Sequence, residues 1–325
     1  MSAAIISATA GLPLPSYVRL VDVRGGSFKR WLLHSSLRVT AKRIPITGVD
    51  APRLRHRQER FDRRFGKAQP AMRATPVDAG GVAAEWLEVP GSRPDRVLLY
   101  FHGGAFLFRF PRIHTGLVGR WCRDLGARAL MVDYRLAPEH PFPAASDDCF
   151  AAYRWLLASG VRPADIVIGG DSAGGNLALG TLHRIKAAAL PLPRCALLLS
   201  PVVDFTMSSP SLVMNARRDP MFTLRALTAM RGLYASPQEY LNPAVSPLFG
   251  DFTGLPPMLF QVGSEELLLD EAVRAAARAH ASGVDVELTI WKRMAHVFQA
   301  LPVPQAAPAN QQIVDFIQRH AGWRA

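Results

Sequence analysis

Ser172 stands in Gly170-Asp171-Ser172-Ala173-Gly174, a Gly-x-Ser-x-Gly run that follows the apolar stretch 166–168 and precedes a Leu/Ala-rich segment of helical spacing, 177–189. That order reads as a strand, a sharp turn and a helix. Small neighbours let the backbone turn tightly enough to hold a strained serine out over a sheet, and the helix start offers a dipole and free N–H groups that favour negative charge. The chemistry implied is nucleophilic attack by the serine oxygen. A serine in such a place can also be a simple helix cap, and it is the strand and helix on either side that favour the nucleophile.

A serine nucleophile needs a base. Open α/β sheets place their sites outside the carboxyl ends of the strands, and this filters the nine histidines. His34 and His56 precede the sheet, while His183, His280 and His320 fall within helical segments. His296 follows the last strand, 284–291, in the loop 292–298, and is the expected general base. The third member is a carboxylate that fixes the imidazole tautomer. After the strand 257–262, Glu265, Glu266, Asp270 and Glu271 compete. Asp270 and Glu271 open a helix, where carboxylates have a reason of their own to stand. Glu266 lies closer to the strand end and is preferred on position, with Asp270 as the alternative.

The stretch His102-Gly103-Gly104-Ala105-Phe106 follows another strand, 97–101. Adjacent glycines let backbone N–H groups point into a site unobstructed. Those of Gly103, Gly104 or Ala105, with that of Ala173, are expected to hold the oxyanion of a tetrahedral intermediate. His102, lying before the glycines, is expected to anchor this loop.

These residues need a scaffold. Strands are expected at 82–89 and 97–101, then at 129–132, 165–168, 196–199, 257–262 and 284–291, with helices at 144–158, 177–189, 270–281 and 311–320. The alternation implies parallel strands joined by right-handed crossovers, an α/β fold with helices on both faces of the sheet. Residues 1–75 read as helix and loop. Residues 204–242, with methionines among prolines, read as an inserted helical piece over the carboxyl edge.

Composition narrows the partners. The chain of 325 residues is 49% apolar and 20% charged, an ordinary globular balance, yet its net charge is +12. Seven basic residues fall between Arg53 and Lys67 against Glu59 and Asp62, while Leu54, Phe61 and Phe65 recur at helical spacing. This reads as an amphipathic helix with a solvated basic face, in preference to a lipid or nucleic-acid binder; no zinc-finger or RNA-binding spacing accompanies it. No apolar run reaches the roughly 18 residues of a membrane helix. Residues 1–11 lack the basic start of a signal peptide. Cys122, Cys149 and Cys195 each sit in an apolar segment, as buried thiols do, which together points to the cytoplasm.

With these motifs in view the chain resembles the hormone-sensitive-lipase group of bacterial α/β-hydrolase esterases. The resemblance is carried by His102 to Phe106, by Asp133-Tyr134-Arg135-Leu136-Ala137-Pro138-Glu139-His140-Pro141-Phe142-Pro143-Ala144-Ala145, and by Gly170 to Asn176, and runs from about Ala74 onward. It implies an α/β-hydrolase fold with a mostly parallel sheet and a helical cap. It also implies a serine esterase for short- to medium-chain carboxylic esters, with Ser172 as nucleophile, His296 as base and an acid at Glu266. The core would be 76–203 and 243–325, with a cap from helices in 1–75 and from 204–242. No cofactor or metal is implied. The partner is a small ester, with no nucleic acid and no stable membrane insertion; loose surface association and a homodimer are compatible with the sequence. A lactone, aryl-ester or amide hydrolase would use the same residues, whereas a non-catalytic relative would lack a working histidine at 296. The family usually has aspartate where Glu266 stands, a third glycine at Ala105 and a small residue at Arg109. Residues 133–145 are expected to shape the wall and support the serine turn, with no catalytic role for Glu139 or His140. Arg109 either narrows the pocket, meets an acidic group on the substrate or points outward.

Overall fold

The computed structural model describes residues 14–23, 25–42, 51–66 and 71–323. The expectation for residues 1–11 lies outside them. In chain order the elements are β1 (Val18–Val21), α1 (Ser27–Thr40), α2 (Ala51–Phe65), β2 (Arg73–Asp78), β3 (Ala83–Glu88), β4 (Val97–Phe101), α3 (Pro111–Leu125), β5 (Arg128–Val132) and α4 (Ala144–Ala158). They continue as β6 (Ile166–Asp171), α5 (Ala173–Ala187), β7 (Cys195–Leu199), α6 (Ser211–Met214), α7 (Leu224–Tyr234), β8 (Met258–Gly263), α8 (Leu269–Ala281), β9 (Val286–Trp291) and α9 (Ala306–Ala321).

Among the described residues the strands form one sheet in the order β1-β9-β8-β7-β6-β4-β5-β3-β2. β2 and β3 run antiparallel, as do β3 and β5; every other pairing is parallel. β4, β6, β7 and β8 are buried along their whole length. Strands covered on both faces must be apolar throughout, and these read so. Successive residues of β4 face opposite ways: Leu99 and Phe101 pack with Leu156, Leu182 and Ala276 from α4, α5 and α8, while Leu98 and Tyr100 pack with Trp121 and Phe316 from α3 and α9. The three cysteines are free and buried. Among the described residues no helix is long and apolar enough to cross a membrane.

The structure corrects the reading of residues 1–75 as helix and loop. Helices α1 and α2 are there, but Val18–Val21 is a strand pairing in parallel with β9, in register with Leu288 to Trp291. Four residues are too few for a period to declare itself, and the partner strand lies near the other end of the chain. Residues 73–78, with Pro76 inside them, form an edge strand on β3, a place in a sheet where a missing N–H costs little. The segment 111–125, where Gly116 and Gly119 and several polar residues blur the apolar stripe, is a full helix with proline at its first turn. At the serine the strand reaches Asp171 and the helix begins at Ala173, so the turn between them is a single residue.

Candidate active site

Ser172 is that residue. Its backbone has φ 54° and ψ −117°, a left-handed φ that an L side chain adopts only when its surroundings insist. Here they do: the Ser172 N–H donates to the Leu199 carbonyl at 2.8 Å, and the Ser172 carbonyl accepts from Asn176 and Val202, each at 3.2 Å. Gly174 is required by contact, since a Cβ there would lie 1.9 Å from the Phe101 carbonyl oxygen. Sequence pattern and steric necessity coincide at this turn.

His296 is buried in the loop after β9, and its Nδ1–H donates to Glu266 Oε2 at 2.8 Å. Glu266, completely buried, folds its longer side chain back on its own loop. Its Oε1 accepts from the Gly263 N–H at 2.5 Å and from the Ser200 hydroxyl at 2.8 Å. The other candidates turn elsewhere. Glu265 pairs with His34 at 3.2 Å, Asp270 accepts from the Ser211 N–H at 2.8 Å, and Glu271 accepts from the Val203 N–H at 2.8 Å and the Ser209 hydroxyl at 3.1 Å. Burial pushes the His296 ring toward neutrality. The hydrogen bond to Glu266 and the charges of Glu266, Asp219 and Asp171 outweigh it, leaving the imidazole more basic than usual.

Ser172 and His296 line one cavity of about 250 Å³ together with Gly103, Gly104 and Ala105. Among the hydrogen bonds of the described residues none joins the Ser172 hydroxyl to the ring. Contacts of this kind tighten when a substrate fills the site. A smaller apolar compartment of about 50 Å³ shares Ser172, Ala105 and Phe222 with it and is walled further by Phe205, Met207 and Leu268.

The glycine loop differs from expectation at one position. The Gly103 N–H donates to Asp171 Oδ1 at 3.0 Å, so it is not available to an oxyanion. The N–H groups of Gly104, Ala105 and Ala173 have no acceptor among the described residues, and Ala105 keeps its place despite φ 57°. Asp171 is the anchor of this loop. It also accepts from the Tyr100 hydroxyl at 2.7 Å and pairs with His114 Nε2 at 3.1 Å, all of them buried. Burial alone would raise its carboxyl, but the His114 charge and these donors bring it down to about 2, and the carboxylate in turn raises His114 against burial's pull. A Cβ at Gly103 would sit 2.1 Å from Asp171 Oδ2, which explains that glycine.

His114 and Asp171 were not singled out in the sequence, because nothing local couples a helix residue to a strand end. His102 does anchor the loop as expected. Its Nδ1 contacts the Gly103 carbonyl at 2.8 Å, its ring stacks on Tyr134, and burial, with the His114 charge beside it, lowers it to about 3, so it stays neutral. The motif 133–145 supports the same loop: the Tyr134 hydroxyl donates to the His102 carbonyl at 2.7 Å and the Ala137 N–H to the Phe106 carbonyl at 2.9 Å. Glu139 holds Arg55 of α2 through two hydrogen bonds of 2.6 and 2.7 Å. Arg109 is paired with Asp133.

The outer wall of the cavity comes from elements above the sheet edge. Leu37 and Thr40 of α1, Arg57 and Phe61 of α2, and Met221, Phe222 and Met230 around α7 all line it. The Phe222 ring stands edge-on to His296 at 5.0 Å. The site thus joins a strained serine, a carboxylate-backed imidazole, three unbonded N–H groups and an apolar chamber, a set able to carry out acyl transfer.

Comparison with known proteins agrees with that chemistry. A family profile described as alpha/beta hydrolase fold matches residues 98–300. An esterase of Acinetobacter venetianus is 35% identical over 299 residues, 90% of this chain and 97% of the relative. The carboxylesterase/phospholipase LipF of Mycobacterium tuberculosis is 35% identical over 75% of this chain and 68% of its own length. Among solved structures, an esterase from the bacterial hormone-sensitive lipase family superposes with a TM-score of 0.86 at 36% identity, covering 92% of this chain and 100% of the other.

Proposed function

The chain belongs to the α/β-hydrolase family, among the carboxylesterases of bacterial hormone-sensitive-lipase type, and from that premise we propose that Ser172, His296 and Glu266 carry out its ester hydrolysis through an acyl-enzyme. His296 takes the Ser172 proton as the oxygen attacks the ester carbonyl, and Glu266 stabilises the imidazolium through Nδ1. The N–H groups of Gly104, Ala105 and Ala173 receive the oxyanion. His296 then protonates the leaving alcohol. Water, activated by the same ring, releases the acid and restores the serine.

The observation that carries this reading is the meeting of the strained Ser172 and the Glu266-backed His296 on one cavity wall. The dimensions of the two compartments support short- to medium-chain acyl esters, with the acyl group in the smaller one beside Met207 and the alcohol in the larger. The cap consists of α1, α2 and the 204–242 segment; β1 and β2 go with the core, because they extend the sheet. Labelling with a fluorophosphonate, followed by peptide mapping, tests the assignment. One equivalent on Ser172, abolished in Ser172→Ala, is the expected result, and label on any other residue would overturn it.

A further inference from the structure

The peptide unit between Glu266 and Leu267 is gripped at both poles by the 204–242 segment. Asn215 Nδ2 donates to the Glu266 carbonyl at 2.8 Å and to the Ser264 carbonyl at 3.1 Å, while the Leu267 N–H donates to Asp219 Oδ2 at 2.8 Å. Asn215 and Asp219 lie one helical turn apart, tied by the Asp219 N–H on the Asn215 carbonyl at 2.9 Å, and both are buried. The second oxygen of Asp219 accepts from the N–H groups of Met221 at 2.7 Å and Phe222 at 2.9 Å. Phe222 is the ring that stands against His296. One carboxylate therefore holds the backbone next to the acid and the backbone of the residue packed on the base.

From this juxtaposition we infer that Asp219, with Asn215, is a positioning residue for the Glu266–His296 pair: it locks the acid's peptide and the cap wall over the base into one unit and adds a negative charge beside the imidazolium. The inference rests on the catalytic reading above. A glutamate has one more rotatable bond than the aspartate usual at this place, so more freedom must be removed to hold its carboxylate on Nδ1, and fixing its peptide removes part of it. Asp219 faces no cation through its own carboxylate among the described ion pairs; Lys42, just past α1, donates to its main-chain carbonyl at 2.6 Å. The charge of Asp219 is felt both by that ammonium and at His296. The other charged or titratable groups around that ring are Glu266, Glu265 with its partner His34, Asp171 at the end of β6, Arg57 of α2 and His114 of α3 on the same cavity, and Lys292 and Arg293 on the histidine's own loop, Arg293 being tied to Asp22. The contribution of Asp219 to His296 has the same sign as that of Glu266.

The test uses Asp219→Asn and Asn215→Ala in the full chain. Asp219→Asn lowers kcat by about 10- to 100-fold, the scale on which small misplacements act, with KM nearly unchanged. It also moves the acidic limb of the kcat/KM profile to lower pH, because a negative charge near the imidazolium is gone. Asn215→Ala lowers kcat with the limb in place, since it loosens the peptide and leaves the charge. A folded Asp219→Asn enzyme with wild-type kcat and an unmoved limb, whatever its melting temperature, would overturn the proposal. If Asp219→Asn does not fold, Asn215→Ala decides, and wild-type kcat there overturns it. Fluorophosphonate labelling of the wild-type enzyme reports on Ser172 separately, so failure of the catalytic reading is distinguishable from failure of this one.

Discussion

His296 donates its Nδ1–H to Glu266 Oε2 at 2.8 Å, whereas the adjacent Glu265 is turned to His34 of α1 at 3.2 Å. Neighbouring residues of one loop thus divide between His296 and helix α1, and the division sets what each substitution should do.

Replacing Ser172 by Ala should lower hydrolysis of p-nitrophenyl butyrate by about 10⁵- to 10⁶-fold, as losses of serine nucleophiles do elsewhere. The melting temperature should not fall, since the strained φ belongs to the backbone and alanine meets it equally. Activity within tenfold of wild type would remove Ser172 from the mechanism.

Glu266→Gln should lower kcat by about 10⁴-fold by offering the ring an N–H where it needs an acceptor, favouring the wrong tautomer. Asp270→Ala should behave differently. Asp270 caps the Ser211 N–H, so its loss should reduce thermal stability while leaving kcat per folded enzyme close to wild type. Side-by-side kinetics and melting curves of the two variants separate the acid from its rival.

The pH profile follows from the direction in which His296 is shifted. The ring acts as a base only when neutral, and its carboxylate neighbours raise it above the ordinary 6.5. The acidic limb of kcat/KM should therefore have its midpoint above 6.5, with activity rising through it as pH increases. A limb centred below 6.5 in wild type would contradict the charge arrangement described.

Glu271 makes a prediction about stability. Burial and the nearby Asp204 raise its carboxyl to about 8, so the folded protein holds a proton there that the unfolded chain has released above its ordinary 4.5. Stability from this group is present below about 4.5 and declines as pH rises toward about 8, because the native state then binds more protons than the unfolded one. Glu271→Gln should flatten that decline. Melting temperatures of both forms from pH 5 to pH 8.5 measure it, and parallel curves would refute the assignment.

Legibility in the sequence followed the range of the interaction. The serine turn was readable because its causes lie within five residues: Gly170 and Gly174 are needed where backbones touch, and an apolar strand and a helix flank them. His296, the proposed base, stood out by its place after the final strand. Glu266 could be preferred only on position, since four carboxylates fell between positions 265 and 271, across a loop and the first turn of α8, and their partners, His296, His34, Ser211 and Ser209, come from other parts of the chain. The strand Val18–Val21 escaped for the same reason, its pairing with β9 spanning most of the sequence.

By itself, then, the sequence determined the alternating α/β scaffold and picked out the residues proposed as nucleophile and base, because helix and strand periodicity and tight-turn sterics act between near neighbours. Tertiary structure alone decided that Gly103 is bound to Asp171 rather than open to substrate, that His114 holds Asp171, and that Asn215 and Asp219 grip the peptide behind Glu266. Each of these is a hydrogen bond or ion pair between buried groups distant in the chain, and a buried polar atom finds its partner only once the core has brought the two segments together.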